Sequence, residues 1–323
     1  MAQFSMWDRK MSDNDERWER EIIEKLATAA LKEQRRARRW GIFFKLLTFA
    51  YITVIILLAV DWKGRDGKDV RHTALVEISG IIAPGTDASA EKITAALAAA
   101  FKDKNTQGVV LRINSPGGSP VQAQTIYDEM RRLRQKHPNI PLYAVVEDLC
   151  ASGGYYVAVG AERIFVGKSS IIGSIGVRMD SFGVTGLMEK IGIERRLLTA
   201  GENKGMLDPF LPLEEKHKQY ALDLMNEIHQ QFIGAVREGR GKRLKDNPEL
   251  FSGLIWSGAR GIELGLADAF GSLDYVAREV IKAEEIVDYT QKENLAEKFA
   301  RRFGAGVASG LLEFAARTTP GIR

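Results

Sequence analysis

The chain of 323 residues contains one cysteine, Cys150, and four histidines, His72, His137, His217 and His229. A single thiol excludes an intramolecular disulfide framework, so stability has to come from packing and assembly. No clustered spacing of His, Cys and carboxylates suggests a metal site, and the expected metal and cofactor content is none. The Gly-x-Ser-x-Gly elbow of Ser-His-Asp hydrolases is missing around Ser152, where Cys150 stands two positions earlier. A phosphate loop at Gly167-Lys168-Ser169-Ser170 fails because Glu162 stands where its first glycine is required. Ser89 and Lys92 have the spacing of a penicillin-recognising enzyme, but the other two motifs of that class are absent and Ser89 reads better as a helix cap. The charge excess is modest, +4 with a pI near 9.0, and is partly explained by Arg35, Arg36, Arg38 and Arg39, so no nucleic acid is implied. No internal repeat or low-complexity segment interrupts the chain.

What is present is uneven along the length. Residues 41–60 read GIFFKLLTFAYITVIILLAV, twenty residues with Lys45 as their one charge. That is enough to cross a bilayer as a helix, with Lys45 near its start able to snorkel, and no small-residue cleavage site follows. The segment reads as a signal anchor. The arginine cluster before it places the N-terminus inside and the rest of the chain outside, by a thin margin, because Lys63, Arg65, Lys68 and Arg71 follow the span. Upstream, residues 1–40 contain an amphipathic helical pattern with Trp18, Ile22 and Leu26 on one side. Residues 61–72 read as an exposed linker that includes His72, residues 73–283 as the folded domain, and residues 284–323 as a tail.

Within 73–283 short apolar runs alternate with helical patterns, the rhythm of an α/β fold. Strands are expected at Ala74–Ile78, Gly108–Ile113, Leu142–Val146, Arg163–Val166 and Glu194–Leu198. Helices are expected near Ser89–Lys104, Pro120–Lys136, Ser152–Gly160, Thr185–Ile191, Leu213–Glu238, Ala259–Leu264 and Leu273–Ala283.

Two glycine-rich turns follow strands. One is Asp148-Leu149-Cys150-Ala151-Ser152-Gly153-Gly154-Tyr155-Tyr156, and the other is Ile113-Asn114-Ser115-Pro116-Gly117-Gly118-Ser119. A serine hydroxyl at such a strand end, with backbone N–H groups around it, is a candidate nucleophile beside a site that stabilises negative charge. Cys150 is a weaker candidate, because a cysteine at an apolar strand end is usually packed as a small hydrophobe. None of the four histidines has an obvious catalytic setting, and His217 and His229 lie on a charged helix where exposure is the default. Lysine is the other possible base if its amine is held neutral. Lys204 leaves a predicted strand into a loop of glycine, proline and apolar residues, and Lys168 is the other candidate.

Four segments in this order, Ser115-Pro116-Gly117-Gly118-Ser119, Ala151-Ser152-Gly153-Gly154-Tyr155-Tyr156, Ile172-Gly173-Ser174-Ile175-Gly176-Val177 and the loop from Ala200 to Phe210, resemble those of the signal peptide peptidase A family. The resemblance spans about Thr73 to Ala283 and implies a ClpP/crotonase-like fold in short, single-copy form. It further implies a membrane-associated serine endopeptidase with Ser152 as nucleophile, Lys204 as general base, Ser174 orienting the lysine amine, and the N–H groups of Gly118 and Gly153 as oxyanion hole. The implied substrates are hydrophobic peptides such as signal peptide remnants. The expected setting is the bacterial inner membrane with the catalytic domain periplasmic, and the expected assembly is a homo-oligomeric ring. A crotonase-type acyl-CoA enzyme, an inactive membrane scaffold and a His-dependent esterase are the alternatives.

Overall fold

The computed structural model describes residues 32–36, 38–54 and 70–291. The chain divides into two compact units, residues 1–62 with 294–323, and residues 63–293. In the first unit residues 38–54 are helical, and Ile42, Phe43, Phe44, Leu46, Leu47 and Phe49 are exposed. Among the described residues no helix is long and apolar enough to cross a membrane. Of the expected span 41–60, residues 55–60 lie outside the described residues, as do the amphipathic pattern around Trp18 and most of the tail and linker.

The second unit is α/β. In chain order its main elements are β1 (His72–Ser79), α1 (Ala90–Lys102), β2 (Thr106–Ser115), α2 (Pro120–Lys136), β3 (Leu142–Ala151), α3 (Gly153–Ala158), β4 (Arg163–Val166), β5 (Ile171–Gly173), α4 (Thr185–Lys190), α5 (Glu215–Arg240), β6 (Ile255–Ser257), α6 (Gly258–Glu263), β7 (Ala269–Phe270), α7 (Leu273–Tyr275) and β8 (Ile286–Asp288). The sheet runs β6-β5-β3-β2-β1-β8, with β4 pairing β3 and β7 pairing β4. Every pair is parallel except β5–β6. This is the mixed α/β sheet of a ClpP-like fold.

The apolar runs are continuous because both faces of the central strands are covered. Val109, Leu111 and Ile113 of β2 join the larger core with Ile93 and Leu97 of α1, Ile126 and Met130 of α2, and Phe232 and Val236 of α5. Val110, between them, points to the other face and packs with Val145, Phe165 and Val276. Truncating a fully buried side chain such as Leu111 costs about 2–5 kcal/mol. One buried ion pair ties the end of α5 to the β4–β7 edge. The Arg240 guanidinium grips the Asp268 carboxylate in two bonds of 2.8 and 3.0 Å, and Asp268 also accepts from Ile164 N–H at 2.7 Å. Burial works against the Asp268 charge, but the Arg240 hydrogen bond and charge, the Ile164 N–H and the Arg243 charge outweigh it and hold its carboxyl below the usual range.

β3 is long enough to serve two arms. Its first half, Tyr143–Val145, pairs with β4, and its second half, Leu149–Ala151, pairs with β5. Between them the β2–β3 register shifts at Ile113/Ser115. The second arm carries the end of β3, and with it the Ser152 turn, across to β5 and β6.

Several expectations need correction. Glu194–Leu198 forms no strand and is exposed, with Leu198 96% accessible, because it has no strand partner within the described chain. His72 is the first residue of β1 and fully buried, its Nε2 3.1 Å from the Tyr289 hydroxyl. Residues past 283 still belong to the sheet: β8 pairs with Thr73–Leu75, and Tyr289 N–H donates to Leu75 O. The expected helix Leu273–Ala283 begins as one α-turn and continues as a π-helical turn, Val276–Ile281, ended by Lys282 in the left-handed region.

Candidate active site

In an open parallel sheet the strand C-termini form the crevice where ligands bind, and three of them meet here. β3 ends at Ala151, which lies opposite Gly173 of β5. Ser152 follows with φ 52° and ψ −122°, a left-handed conformation for a residue with a side chain, costing about 1–3 kcal/mol. Its N–H donates to Gly173 O at 2.9 Å, and its carbonyl accepts from Tyr156 N–H at 2.9 Å, the bond that starts α3. The turn is therefore clamped on both sides. Ser174 is the next residue along the paired strand. It also has positive φ, 54°, and its N–H donates to Leu254 O at 2.7 Å. The β3–β5 register thus places Ser152 and Ser174 side by side.

The turn after β2 completes the wall. Ser115 Oγ donates to Gly80 O at 2.6 Å and accepts from Gly117 N–H at 3.1 Å. Ile82 bridges to this turn, its N–H donating to Gly117 O and its carbonyl accepting from Ser119 N–H. Gly118, at φ 154°, is bracketed by those two bonds and is not a partner in either. A β-carbon on Gly117 would stand 2.8 Å from Ser152 Cβ, and one on Gly118 would stand 2.1 Å from Ile82 O, so only glycine fits at either position. A β-carbon on Gly153 would stand 3.2 Å from the Gly118 nitrogen, so the two backbone amides are neighbours. Gly153 opens α3, and its N–H has no acceptor within that helix.

Ser152 opens onto a small cavity of about 30 Å³, bounded by Gly118, Ala123, Tyr156, Gly176, Val177, Ile228 and Phe232. Tyr156 and Phe232 pack with ring centroids 4.9 Å apart. His229 is not solvated as its charged helix suggests: its Nε2–H donates to Ile175 O at 3.1 Å and pins α5 to the Ser174 segment. This residue was missed because its acceptor is a backbone carbonyl 54 residues away. Cys150 is fully buried, and burial pushes its thiol well above the ordinary cysteine range, which removes it as a nucleophile near neutral pH.

Lys204 is elsewhere. It is exposed in a loop whose neighbouring Asn203 Oδ1 accepts from His217 Nε2–H at 3.1 Å, so His217 is buried rather than solvated. His217 lies in the first turn of α5, whereas the Ser152 cavity meets α5 at Ile228 and Phe232. At about 1.5 Å per residue these contacts are roughly 20 Å apart along the helix. A cavity of about 650 Å³ adjoins the Lys204 loop, lined by Phe182, Arg195, Leu197, Asp208 and His217 among others, and contains nothing from the Ser152 turn. One chain thus brings together Ser152, Ser174, Gly118 and Gly153, and leaves Lys204 on a separate surface. Lys168 lies over the Phe270 ring at 5.9 Å, and Lys92 is paired with Asp87 at 2.8 Å. Ser89 does occupy the cap position of α1, though without a side-chain cap bond. Among the described residues no group of His, Cys, Asp and Glu could hold a metal ion.

Comparison with known proteins gives the family of the chain. The family model for peptidase family S49 matches residues 134–287, and that for Clp protease matches residues 71–171. The chain is 31% identical over 202 residues to slr0021 of Synechocystis sp., covering 62% of this chain and 70% of that protein. It is 29% identical over 222 residues to the chloroplast serine protease SPPA of Arabidopsis thaliana, covering 66% and 31%. It is also 43% identical over 216 residues to a Brucella abortus protein named Na(+)/H(+) antiporter NhaA, covering 66% of this chain and 29% of that protein. The chain spans between 24% and 63% of the length of the first curated relatives it matches.

Proposed function

Because the chain belongs to peptidase family S49, the signal peptide peptidase A family, and is a serine peptidase, we propose that it is an endopeptidase working through Ser152 and the Lys204 of a neighbouring copy. A neutral Lys204 amine takes the Ser152 Oγ proton as that oxygen attacks a peptide carbonyl. The developing oxyanion is held by the N–H groups of Gly118 and Gly153, each donor worth about 10²-fold or more in rate. The ammonium then protonates the leaving amine; in the second half water attacks the acyl ester, the again neutral Lys204 amine takes its proton, and that proton passes to Ser152 Oγ as the acid is released. Ser174, beside Ser152, orients the incoming amine.

The observation that carries this reading is the clamped, positive-φ Ser152 between two glycine turns whose backbone amides are neighbours. Sharing of the dyad is supported by the separation of Lys204 from Ser152 along α5. It is further supported by the apolar side chains left exposed on the Lys204 side of the unit, including Phe182, Leu187, Ile191, Ile193 and Leu198. A head-to-tail contact that closes makes a ring. A ring of such sites admits extended peptides and excludes folded domains. Residues 41–60 would anchor it in a bacterial inner membrane with the N-terminus cytoplasmic and the catalytic unit periplasmic, where signal peptide remnants and other hydrophobic peptides are the substrates.

The test is labelling of the full chain with a fluorophosphonate, followed by hydrolysis of quenched apolar peptides. Labelling at Ser152 together with Ser152-dependent cleavage supports the reading. Cleavage that survives Lys204→Ala, or acyl-CoA turnover without Ser152 labelling, would replace it.

A further inference from the structure

We infer that Trp256 is a positioning residue for the lysine side of the site: its indole ring seats Gly173, and its N–H holds the Ser174 hydroxyl in the rotamer that receives the Lys204 amine. The inference rests on the proposed dyad and deepens it by naming what orients the orienting serine. β5 and β6 run antiparallel, with Ile172 opposite Trp256 and Gly173 opposite Ile255. Gly173 has φ 103°, and a β-carbon there would stand 2.9 Å from Trp256 Cδ1 and 3.0 Å from Leu254 O. The notch that this glycine leaves is filled by the indole. Gly173 O in turn accepts from Ser152 N–H, and the next residue, Ser174, donates its N–H to Leu254 O. A shift of this one glycine is therefore passed to both serines.

The hydrogen bonds supply a second observation. Trp256 packs against the larger core, and its Nε1 is buried with no hydrogen-bond partner among the described residues. An indole nitrogen is a donor only, and a buried donor left unpaired is costly. The carbonyls of the turn, Gly173 O and Leu254 O, each already accept a backbone N–H. Ser174 Oγ is an acceptor that no bond holds among the described residues. Ser174 lies against Leu254, so Trp256 stands at the diagonal position on the neighbouring strand, from which a large aromatic side chain reaches across. Its Nε1 is 3.5 Å from the point a Gly173 β-carbon would occupy, one residue from Ser174. In the working site Ser174 Oγ turns to accept this N–H. A hydroxyl oxygen has two lone pairs; with one on the indole, the other accepts an amine N–H of Lys204, and the amine keeps its own single lone pair for the Ser152 proton.

The experiment uses the purified full chain and a double-mutant cycle of Trp256→Phe and Ser174→Ala, read as kcat and KM on a quenched apolar peptide. Phenylalanine fills the notch but lacks the N–H. Trp256→Phe is expected to lower kcat about three- to tenfold, the factor one neutral hydrogen bond is worth, with KM within about twofold. In the Ser174→Ala background the same change should lower kcat by less than about twofold, because the acceptor is gone. Should Trp256→Phe fail to fold, ¹⁹F spectra of the chain carrying fluorotryptophan decide, since one of the five tryptophan resonances is expected to move on Ser174→Ala. An unchanged kcat in folded Trp256→Phe, equal losses in both backgrounds, or five unmoved resonances overturns the positioning role while leaving the dyad intact. Absence of fluorophosphonate labelling at Ser152 and of Ser152-dependent cleavage in the unaltered chain overturns the dyad, and the role of Trp256 with it.

Discussion

The Ser152 cradle and the Lys204 loop differ in almost every physical respect. Around Ser152, two strand ends and a glycine turn are locked by backbone bonds, and the two glycines tolerate no β-carbon. Around Lys204, residues 193–213 contain no helix or strand, and Leu198 is 96% exposed. Strained positive-φ conformations at Ser152 and Ser174 persist only where the surroundings over-determine them, and the cradle supplies that restraint within one chain. The loop lacks such surroundings in the isolated copy. A rigid half-site on one surface and a half-site with few contacts of its own on another is the pattern expected when a second copy supplies the missing surface.

The largest effect that could break this comparison is loss of either dyad member. Ser152→Ala and Lys204→Ala are each expected to lower peptide kcat/KM by roughly 10⁴-fold or more, since groups that act as a unit fail as a unit. Lys204→Arg should fail equally, because a guanidinium keeps its proton. A Lys204 variant with near-normal rate in a peptide assay would mean that the loop has no catalytic part.

Gly118→Ala comes next. Its β-carbon would meet Ile82 O at 2.1 Å, so the turn must shift and the amide at the oxyanion position moves with it. Peptide hydrolysis is expected to fall about 10²–10³-fold, while a fluorophosphonate still labels Ser152 slowly. Unchanged turnover would remove Gly118 from the oxyanion hole.

Asp268→Ala tests the scaffold beneath the cradle rather than the chemistry. It leaves Arg240 buried without its carboxylate, at a cost of about 3–5 kcal/mol in denaturant unfolding. Because the folded state holds the Asp268 carboxyl below its usual range, its contribution is present above the unfolded carboxylate range near pH 4 and is lost as pH falls through the lower folded value. The unaltered chain should therefore lose stability on acidification more steeply than the variant, and parallel acid profiles would refute the assignment.

His229→Ala should have the smallest effect. Losing the bond to Ile175 O costs about 0.5–1.5 kcal/mol and loosens the wall beside Ser174, so hydrolysis should drop severalfold while Ser152 labelling persists. Full activity would leave His229 with a packing role only.

Legibility from sequence followed the same division. The long elements were readable because their periodicity is local: Pro120–Lys136 was expected with the bounds it has, and β1, β2 and β3 extend the expected runs by a few residues. Strands of two or three residues, β6, β7 and β8, are too short to show alternation and exist only through their partners. Glu194–Leu198 shows the converse, an apolar run that reads as a strand but has nothing to pair with in the described chain. The serines beside glycines could be picked out one by one, yet the adjacency of Ser152 and Ser174 depends on the Ala151–Gly173 register, a nonlocal fact. Burial of His72 and His217 and the backbone bond of His229 were hidden for the same reason, since their partners Tyr289, Asn203 and Ile175 are distant in sequence.

The shared dyad is tested most directly by mixing inactive Ser152→Ala and Lys204→Ala chains and letting them co-assemble. If each site takes its serine from one copy and its lysine from the next around a ring, about one site in four in a random equal mixture regains both groups, and peptide hydrolysis should recover to that order. No recovery in oligomers verified to contain both chains would place Ser152 and Lys204 within a single copy and contradict the account.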